Sequence, residues 1–215
     1  MASDDSYVLF FDLDGTLTDP KVGITRCIQY ALAQLGQPTV CADDLEWCIG
    51  PPLKESLATL VGAANADQAI AHYRERFADI GWAENEPYAG IHDALEDLTS
   101  RGAQMFVATS KPAIYAEKIL AHFDLDRFFT RLYGAELDGR YSDKAELLAW
   151  ARSEHPTPMD AMMIGDRRHD IRGARANSMQ AIGVSYGYGS CEELADAGAD
   201  RIVHSPQALR DLIVP

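Results

Sequence analysis

The sequence predicts an α/β protein with a parallel sheet and a helical segment inserted near its N-terminus. First, an apolar run from Tyr7 to Phe11 leads directly into two carboxylates, and such short runs are typical of buried central strands. Second, strand and helix signals alternate beyond residue 87, which implies parallel strands joined by right-handed crossovers. Third, residues 20–86 carry only helix signals, and they are too many for a loop within a compact domain.

The composition limits the classes of function. The chain has 215 residues, of which 47% are apolar and 24% charged, as in ordinary soluble proteins. A net charge of −14 argues against a nucleic-acid polymer as partner, although a small phosphorylated ligand needs only local cations. Four cysteines without a Cys-x-x-Cys pair indicate free thiols. No apolar run reaches the ~18 residues of a membrane helix, and residues 1–6 are unlike a signal peptide, so we expect a cytoplasmic protein without membrane partners.

The inserted segment reads as a small helical unit. Apolar spacing predicts helices over 22–35, 43–48, 53–61 and 66–80. Two consecutive prolines interrupt it at Gly50–Lys54, since proline cannot continue a helix. Asp19–Pro20 and Asn85–Pro87 are the predicted hinges, so we expect residues 1–19 and 87–215 to form a core and 20–86 a separate unit.

The rest of the chain alternates regularly. Strand signals at 105–108, 131–135, 161–164, 180–184 and 201–203 are separated by helix signals at 90–100, 114–122, 144–153, 171–177 and 192–197. With the first strand this makes six strands. Because the carboxyl ends of parallel strands share one edge of a sheet, polar residues that follow them should lie together.

Three of these strands end in polar residues, and a lysine begins one helix. The residues are Asp12 and Asp14, Thr109 and Ser110, Asp166 and Asp170, and Lys144. Each has a simpler explanation: a solvated acidic turn, helix-capping groups for Thr109, Asp166 and Asp170, or a surface lysine. Carboxylates alone would repel a phosphate, whereas Mg²⁺ binds carboxylates together with substrate oxygens.

The stretch Phe10-Phe11-Asp12-Leu13-Asp14-Gly15-Thr16-Leu17-Thr18-Asp19 resembles the first motif of the haloacid dehalogenase (HAD) superfamily, in which Asp-x-Asp-Gly-Thr marks the phosphatases. Thr109-Ser110, Lys144 and Gly165-Asp166 match the later motifs in order, so the resemblance covers nearly the whole chain. It implies a Rossmann-like parallel-sheet core with residues 20–86 as an α-helical cap over the site.

The resemblance also implies a role for each motif residue. Asp12 would attack phosphorus and form an aspartyl-phosphate, and Asp14 would protonate the leaving group and later activate water. Lys144 would neutralise phosphate charge and hold Asp12. Mg²⁺ would bind Asp12, Asp166 and the backbone carbonyl of Asp14, with Asp170 in support outside the coordination sphere. Phosphate or substrate contacts would come from Gly15, Thr109, Ser110 and Lys54.

The substrate is less defined than the reaction. The stretches Gly165–Ile171 and Gly187–Leu194 look most like 5′-nucleotidase-like phosphatases, so a nucleoside 5′-monophosphate is the favoured substrate of a monomer or homodimer. A phosphoglycolate phosphatase, a sugar-phosphate phosphatase or phosphomutase, and a phosphate-binding regulator without activity stay open. The Gly50–Lys54 loop is either a substrate contact or a structural turn. Lys111 and Arg167 are either substrate contacts or surface charges.

Overall fold

The computed structural model describes residues 7–155 and 161–212, so residues 1–6, predicted above to be no signal peptide, lie outside the described residues. The strands are β1 (Val8–Phe11), β2 (Thr18–Asp19), β3 (Glu86–Pro87), β4 (Gln104–Pro112), β5 (Arg131–Ala135), β6 (Met162–Gly165), β7 (Gln180–Val184) and β8 (Arg201–Val203). The α-helices are α1 (Lys21–Gln34), α2 (Leu53–Val61), α3 (Ala66–Arg76), α4 (Ile91–Ser100), α5 (Ala113–His122), α6 (Lys144–Glu154), α7 (Arg168–Ala176) and α8 (Cys191–Asp196).

Six strands form one sheet in the order β5-β4-β1-β6-β7-β8, and every neighbouring pair is parallel. Strand β1 lies inside the sheet between β4 and β6, with Phe11 opposite Val107 and Ile164. A central position with helices on both faces explains why β1 is apolar at every residue. The predicted fold class is therefore confirmed.

The two faces of the sheet pack against different helices. Along β1 the side chains alternate, so Leu9 and Phe11 enter one apolar cluster while Val8 and Phe10 enter the other. The first cluster includes residues of α4 and α5, and the second includes residues of α6 and α7. Helices thus cover both faces of the sheet. A binding site can form only where the chain leaves the carboxyl ends of the strands.

The helical segment between β2 and β3 packs helix α3 against both α1 and α2. It leaves and re-enters the rest of the chain through a short ribbon that the sequence did not predict. In this ribbon β2 and β3 are antiparallel, with Thr18 opposite Pro87 and Asp19 opposite Glu86. The two predicted hinges are therefore paired to each other through the backbone. The division into a core and a cap stays a prediction.

Most predicted elements are present with shifted ends. The segment 43–48 is a 3-10 helix. The helix predicted over 66–80 is α-helical as far as Arg76, and a π-helical turn follows over Phe77–Gly81. Strand β4 extends four residues beyond the predicted Ala108 because its pairing with β5 resumes after an irregularity between Thr109 and Pro112. That irregularity lies at Thr109 and Ser110, for which the family resemblance predicts phosphate binding.

Candidate active site

The turn after β1 brings Asp12 and Asp14 to the same place. Strand geometry alone would point them to opposite faces. The carbonyl of Leu13 accepts hydrogen bonds from the amides of Leu17 at 2.9 Å and Thr18 at 3.1 Å, so the chain coils directly after Asp12. Gly15 adopts φ +83°, a left-handed conformation that costs glycine little. Both aspartates consequently line one cleft.

Lys144 contacts the residue after β1, a carbonyl of β4 and the first turn of α7. Its ammonium lies 3.1 Å from Asp12 Oδ1 and 2.8 Å from Asp170 Oδ1, and it donates to the carbonyl of Ala108 at 2.8 Å. The side chain is only 3% exposed, so it is not the surface lysine of the simpler explanation. Burial lowers the pKa of Lys144, but Asp12 and Asp170 more than offset this and raise it overall. The lysine therefore stays charged.

Asp166 has an unused buried oxygen. Its Oδ2 accepts the amide of Tyr188 at 2.8 Å, whereas Oδ1 is buried without a hydrogen-bond partner among residues 7–155 and 161–212. Burial, followed by the charges of Asp170 and Asp12, holds the pKa of Asp166 well above its usual value. Asp12, Asp166 and Asp170 each offer a carboxylate oxygen within 4.8 Å of the others. An all-oxygen set with an unpartnered anionic atom fits a hard divalent cation such as Mg²⁺.

Asp170 combines two of the alternatives considered from the sequence. Its Oδ2 accepts the amide of Arg167 at 3.0 Å and so caps the start of α7, while Oδ1 faces Lys144. Burial raises the pKa of Asp170 to about 6, although Lys144 opposes the shift. The carboxylate also belongs to the acidic group, so the structure allows either direct ligation or the outer supporting role predicted above.

Asp14 is paired with Lys111. The Lys111 ammonium donates to Asp14 Oδ2, and both side chains are largely buried, at 7% and 13% exposure. Burial raises the pKa of Asp14, while Lys111 lowers it in part. A carboxyl group with a raised pKa suits the exchange of protons near neutral pH. Asp14 is not one of the three residues whose carboxylate oxygens lie within 4.8 Å of one another, and metal binding through its carbonyl stays a prediction.

Thr109 and Ser110 occupy the irregular end of β4. Thr109 is 2% exposed, and its hydroxyl accepts the amide of Lys111 at 3.2 Å, so it shapes the turn that follows. Both residues line the cleft beside Asp12 and Asp14. Gly15 instead packs against the metal-ligand candidate, since a Cβ on it would lie 2.2 Å from Asp166 Oδ2. Its phosphate contact stays a prediction, and close packing against Asp166 explains why a glycine stands here.

The cleft holds about 400 Å³ and is bordered by the sheet edge on one side and the helical segment on the other. The helical segment contributes the Gly50–Lys54 loop and an aromatic pair, Tyr73 and Phe77, stacked at 5.4 Å between ring centroids. Tyr115 of α5 meets Phe77 edge-on at 5.0 Å. Lys54 also lines the cleft and pairs with Asp67 at 2.8 Å, both largely exposed. The predicted loop therefore faces the predicted catalytic residues.

Two residues that the sequence left open have defined places. Lys111 lines the cleft and pairs with Asp14, so it is no surface charge. Arg167 is also buried, but it does not line the cleft and bonds Glu193 and the carbonyl of Ile49 instead. Neither environment can be seen from sequence spacing because the partners lie between 26 and 118 residues away.

Comparison with known proteins identifies the family of this chain. Residues 9–184 match the family model described as haloacid dehalogenase-like hydrolase. The chain belongs to this family. It is 48% identical over 189 residues to a 5′-nucleotidase of Pseudomonas aeruginosa, covering 86% of each protein. It is 36% identical to the tyrosine-protein kinase PtkA of Mycobacterium tuberculosis, over 92% of this chain and 68% of that protein.

Other relatives of this HAD-like hydrolase include a phosphoglycolate phosphatase of Pseudomonas aeruginosa, 29% identical over 96% of this chain and 78% of that protein. The crystal structure of a predicted phosphatase from Clostridium acetobutylicum superimposes with a TM-score of 0.92 at 40% identity, over 96% of this chain and 97% of that one. Within residues 7–155 and 161–212, no helix has the length and the apolar character that a membrane span requires.

Proposed function

We propose that this HAD-like hydrolase is a Mg²⁺-dependent phosphomonoesterase whose favoured substrate is a nucleoside 5′-monophosphate. The observation that carries the proposal is one cleft lined by both Asp12 and Asp14 and by the aromatic side chains Tyr73, Phe77 and Tyr115. Acidic and phosphate-binding groups suit the phosphoryl end of such a substrate. The half-buried Tyr115, which packs edge-on against the buried Tyr73–Phe77 pair, offers an aromatic ring against which a base can pack. The similarity to a 5′-nucleotidase supports the same choice.

Binding of the phosphoryl group falls to the polar groups at the sheet edge. The hydroxyl of Thr109 and the amide of Ser110 would donate to its oxygens, and Lys144 would offset its charge. Asp12, Asp166 and the Asp14 carbonyl would hold Mg²⁺, with Asp170 in support. Bound there, the cation would neutralise phosphate charge and let an anionic nucleophile approach.

Asp12 is the nucleophile in this proposal. Its Oδ1 accepts the amide of Leu13 at 2.7 Å and faces Lys144, so the carboxylate is oriented before substrate arrives. We assign the attack to Oδ2, which forms the bond to phosphorus as the bond from phosphorus to the ester oxygen breaks. Asp14 gives its proton to that ester oxygen. The products of this half-reaction are the free alcohol and an aspartyl-phosphate at Asp12.

Hydrolysis of the aspartyl-phosphate reverses the role of Asp14. Now deprotonated, Asp14 accepts a proton from water as the water oxygen attacks phosphorus, which releases phosphate and restores the Asp12 carboxylate. Lys111 donates to Asp14, so it orients the carboxyl group for both steps. The net reaction is the hydrolysis of a phosphomonoester by water to an alcohol and inorganic phosphate.

A substrate panel tests this proposal. The purified protein with Mg²⁺ is assayed for phosphate release from nucleoside 5′-monophosphates, phosphoglycolate, sugar phosphates and p-nitrophenyl phosphate. We expect the highest kcat/KM with a nucleoside monophosphate. A higher value with phosphoglycolate or a sugar phosphate would move the substrate to that class, whereas no turnover of any phosphomonoester would favour the non-enzymatic regulator.

A further inference from the structure

Arg167 is a buried cation outside the cleft. It follows Asp166 directly and precedes α7, so its backbone belongs to the acidic end of the site. Its side chain is only 8% exposed. A buried guanidinium needs hydrogen-bond acceptors to offset its lost hydration, and its partners identify what it holds in place.

The acceptors of Arg167 belong to two separate parts of the chain. Nε donates to Glu193 Oε1 of α8 at 3.0 Å, and Nη1 donates to the carbonyl of Ile49. Ile49 is fully buried, so its carbonyl requires a donor. Pro51 and Pro52, which follow it, have no N–H groups of their own. The loop therefore depends on a donor from elsewhere in the molecule.

The loop also rests on the stem of this arginine. Gly50 has φ +100°, and a Cβ built on it would lie 2.7 Å from Arg167 Cγ. Only glycine combines this backbone conformation with so close an approach. The residues from Gly50 to Lys54 line the cleft opposite Asp12 and Asp14, so the position of Arg167 sets the position of that wall.

We propose that Arg167 is a positioning residue that anchors the Gly50–Lys54 loop over the cleft and thereby sets the affinity for the leaving-group part of the substrate. The effect on substrate affinity rests on the proposed function, whereas the anchoring of the loop by Arg167 is independent of it. The backbone amide of Arg167 donates a hydrogen bond to Asp170, and its guanidinium donates one to the carbonyl of Ile49. One residue therefore links the phosphate end of the cleft to the loop. Lysine could not replace it, because a single ammonium lacks the fixed pair of donors.

Hydrogen–deuterium exchange tests the anchoring independently of activity. The variants are Arg167→Met and Arg167→Lys, which keep an aliphatic stem under Gly50, and the control is the exposed neighbour Arg168→Met. We expect peptides covering residues 46–57 to exchange about tenfold faster in the Arg167 variants only, the factor for one lost charged hydrogen bond. Unchanged exchange in those peptides would overturn the proposal.

Steady-state kinetics on the best substrate of the panel test the consequence. In Arg167→Met we expect KM to rise about tenfold with kcat within about twofold, since the catalytic groups stay in place. A fall in kcat with unchanged KM would overturn the proposal and connect Arg167 to Asp166 and Asp170 instead. If Arg167→Met does not fold, the same measurements on Arg167→Lys decide. If the wild-type protein shows no turnover on the panel but residues 46–57 still exchange faster in the Arg167 variants than in wild type, the proposed function is rejected and the anchoring role of Arg167 is kept.

Discussion

The charge balance of this site depends on Lys144. The Lys144 ammonium faces two carboxylates and a backbone carbonyl, so its removal would leave Asp12 and Asp170 facing each other without a cation. Like charges at such distances raise each other's pKa. The free Oδ1 of Asp166 adds a further anionic atom within the described part of the chain. One lysine and one bound cation would together balance this charge.

The first prediction concerns the nucleophile. We expect Asp12→Asn to lower kcat by roughly 10⁴-fold or more, the scale seen when a covalent nucleophile is removed, because an amide is a poor nucleophile. Thermal unfolding should change little, as the amide is nearly isosteric. The measurement is steady-state phosphate release from the folded variant, with Asp44→Asn, an exposed aspartate outside the cleft, as control. Appreciable turnover by Asp12→Asn would reject the covalent mechanism.

At the scale of elements, the helical segment is held near its return strand by an ion-pair cluster. Glu84 accepts two hydrogen bonds from Arg76, at 2.7 and 3.1 Å, and one from Arg26 at 2.7 Å. Its carbonyl also accepts the amide of Gly23 in α1 at 2.9 Å. One residue just before β3 thus joins helices α1 and α3.

A second prediction follows from this cluster. Hydrogen bonding by Arg76 lowers the pKa of Glu84 below its usual value, so its stabilisation is present near neutral pH and is lost as the pH falls through that lowered pKa. We expect Glu84→Gln to reduce the free energy of unfolding by ~1–2 kcal/mol at pH 7. Urea titrations should give a smaller difference between wild type and variant at pH 3 than at pH 7. The exposed Glu86→Gln serves as control, and a pH-independent difference would contradict the assignment.

The third prediction concerns the loop and its lysine. The Lys54–Asp67 pair is exposed, at 67% and 81%, and such pairs contribute little to stability. Lys54→Ala should therefore leave the melting temperature unchanged. We expect it to lower kcat/KM for the best substrate roughly tenfold through KM, with little change for p-nitrophenyl phosphate. Lys118→Ala, an exposed lysine of α5, is the control. No loss on any substrate would leave the loop without a substrate contact at this lysine.

At the scale of the whole molecule, the site forms between two parts of the chain with different tasks. The sheet edge supplies groups suited to a phosphoryl oxygen, and the helical segment supplies the wall opposite them. Closure of such a wall would exclude water until the leaving group departs. The net charge of −14 makes a bound cation more important for an anionic substrate.

The fourth prediction is an absolute need for a divalent cation. We expect no turnover after treatment with EDTA, recovery with Mg²⁺, and inhibition by Ca²⁺, because Ca²⁺ takes more ligands at longer distances and loosens the in-line geometry. Adding Mg²⁺ to the EDTA-treated protein should also raise its melting temperature, since the cation would bind the folded acidic group. Full activity in EDTA would contradict the use of Asp12 and Asp166 as metal ligands.

Much of this protein could be read from local pattern. Apolar runs and helical periodicity predicted the parallel sheet and its helices, because burial on both faces leaves a strand few alternatives to apolar residues. The strand-end rule placed Asp12, Thr109 and Asp166 at one edge, because parallel strands share the direction of their carboxyl ends. These inferences depend on neighbours in sequence or on one property of the whole sheet.

Contacts between distant residues could only come from the folded chain. The pairing of Lys111 with Asp14, the hydrogen bond from Arg167 to the carbonyl of Ile49 and the β2–β3 ribbon each join residues dozens of positions apart. Sequence spacing carries no signal for such pairs, since the same lysine or arginine would look identical on an open surface. Burial converts these charges from solvated groups into fixed partners, because a buried ion is retained only where acceptors or counter-charges meet it. Tertiary packing thus decided which charges became part of the site.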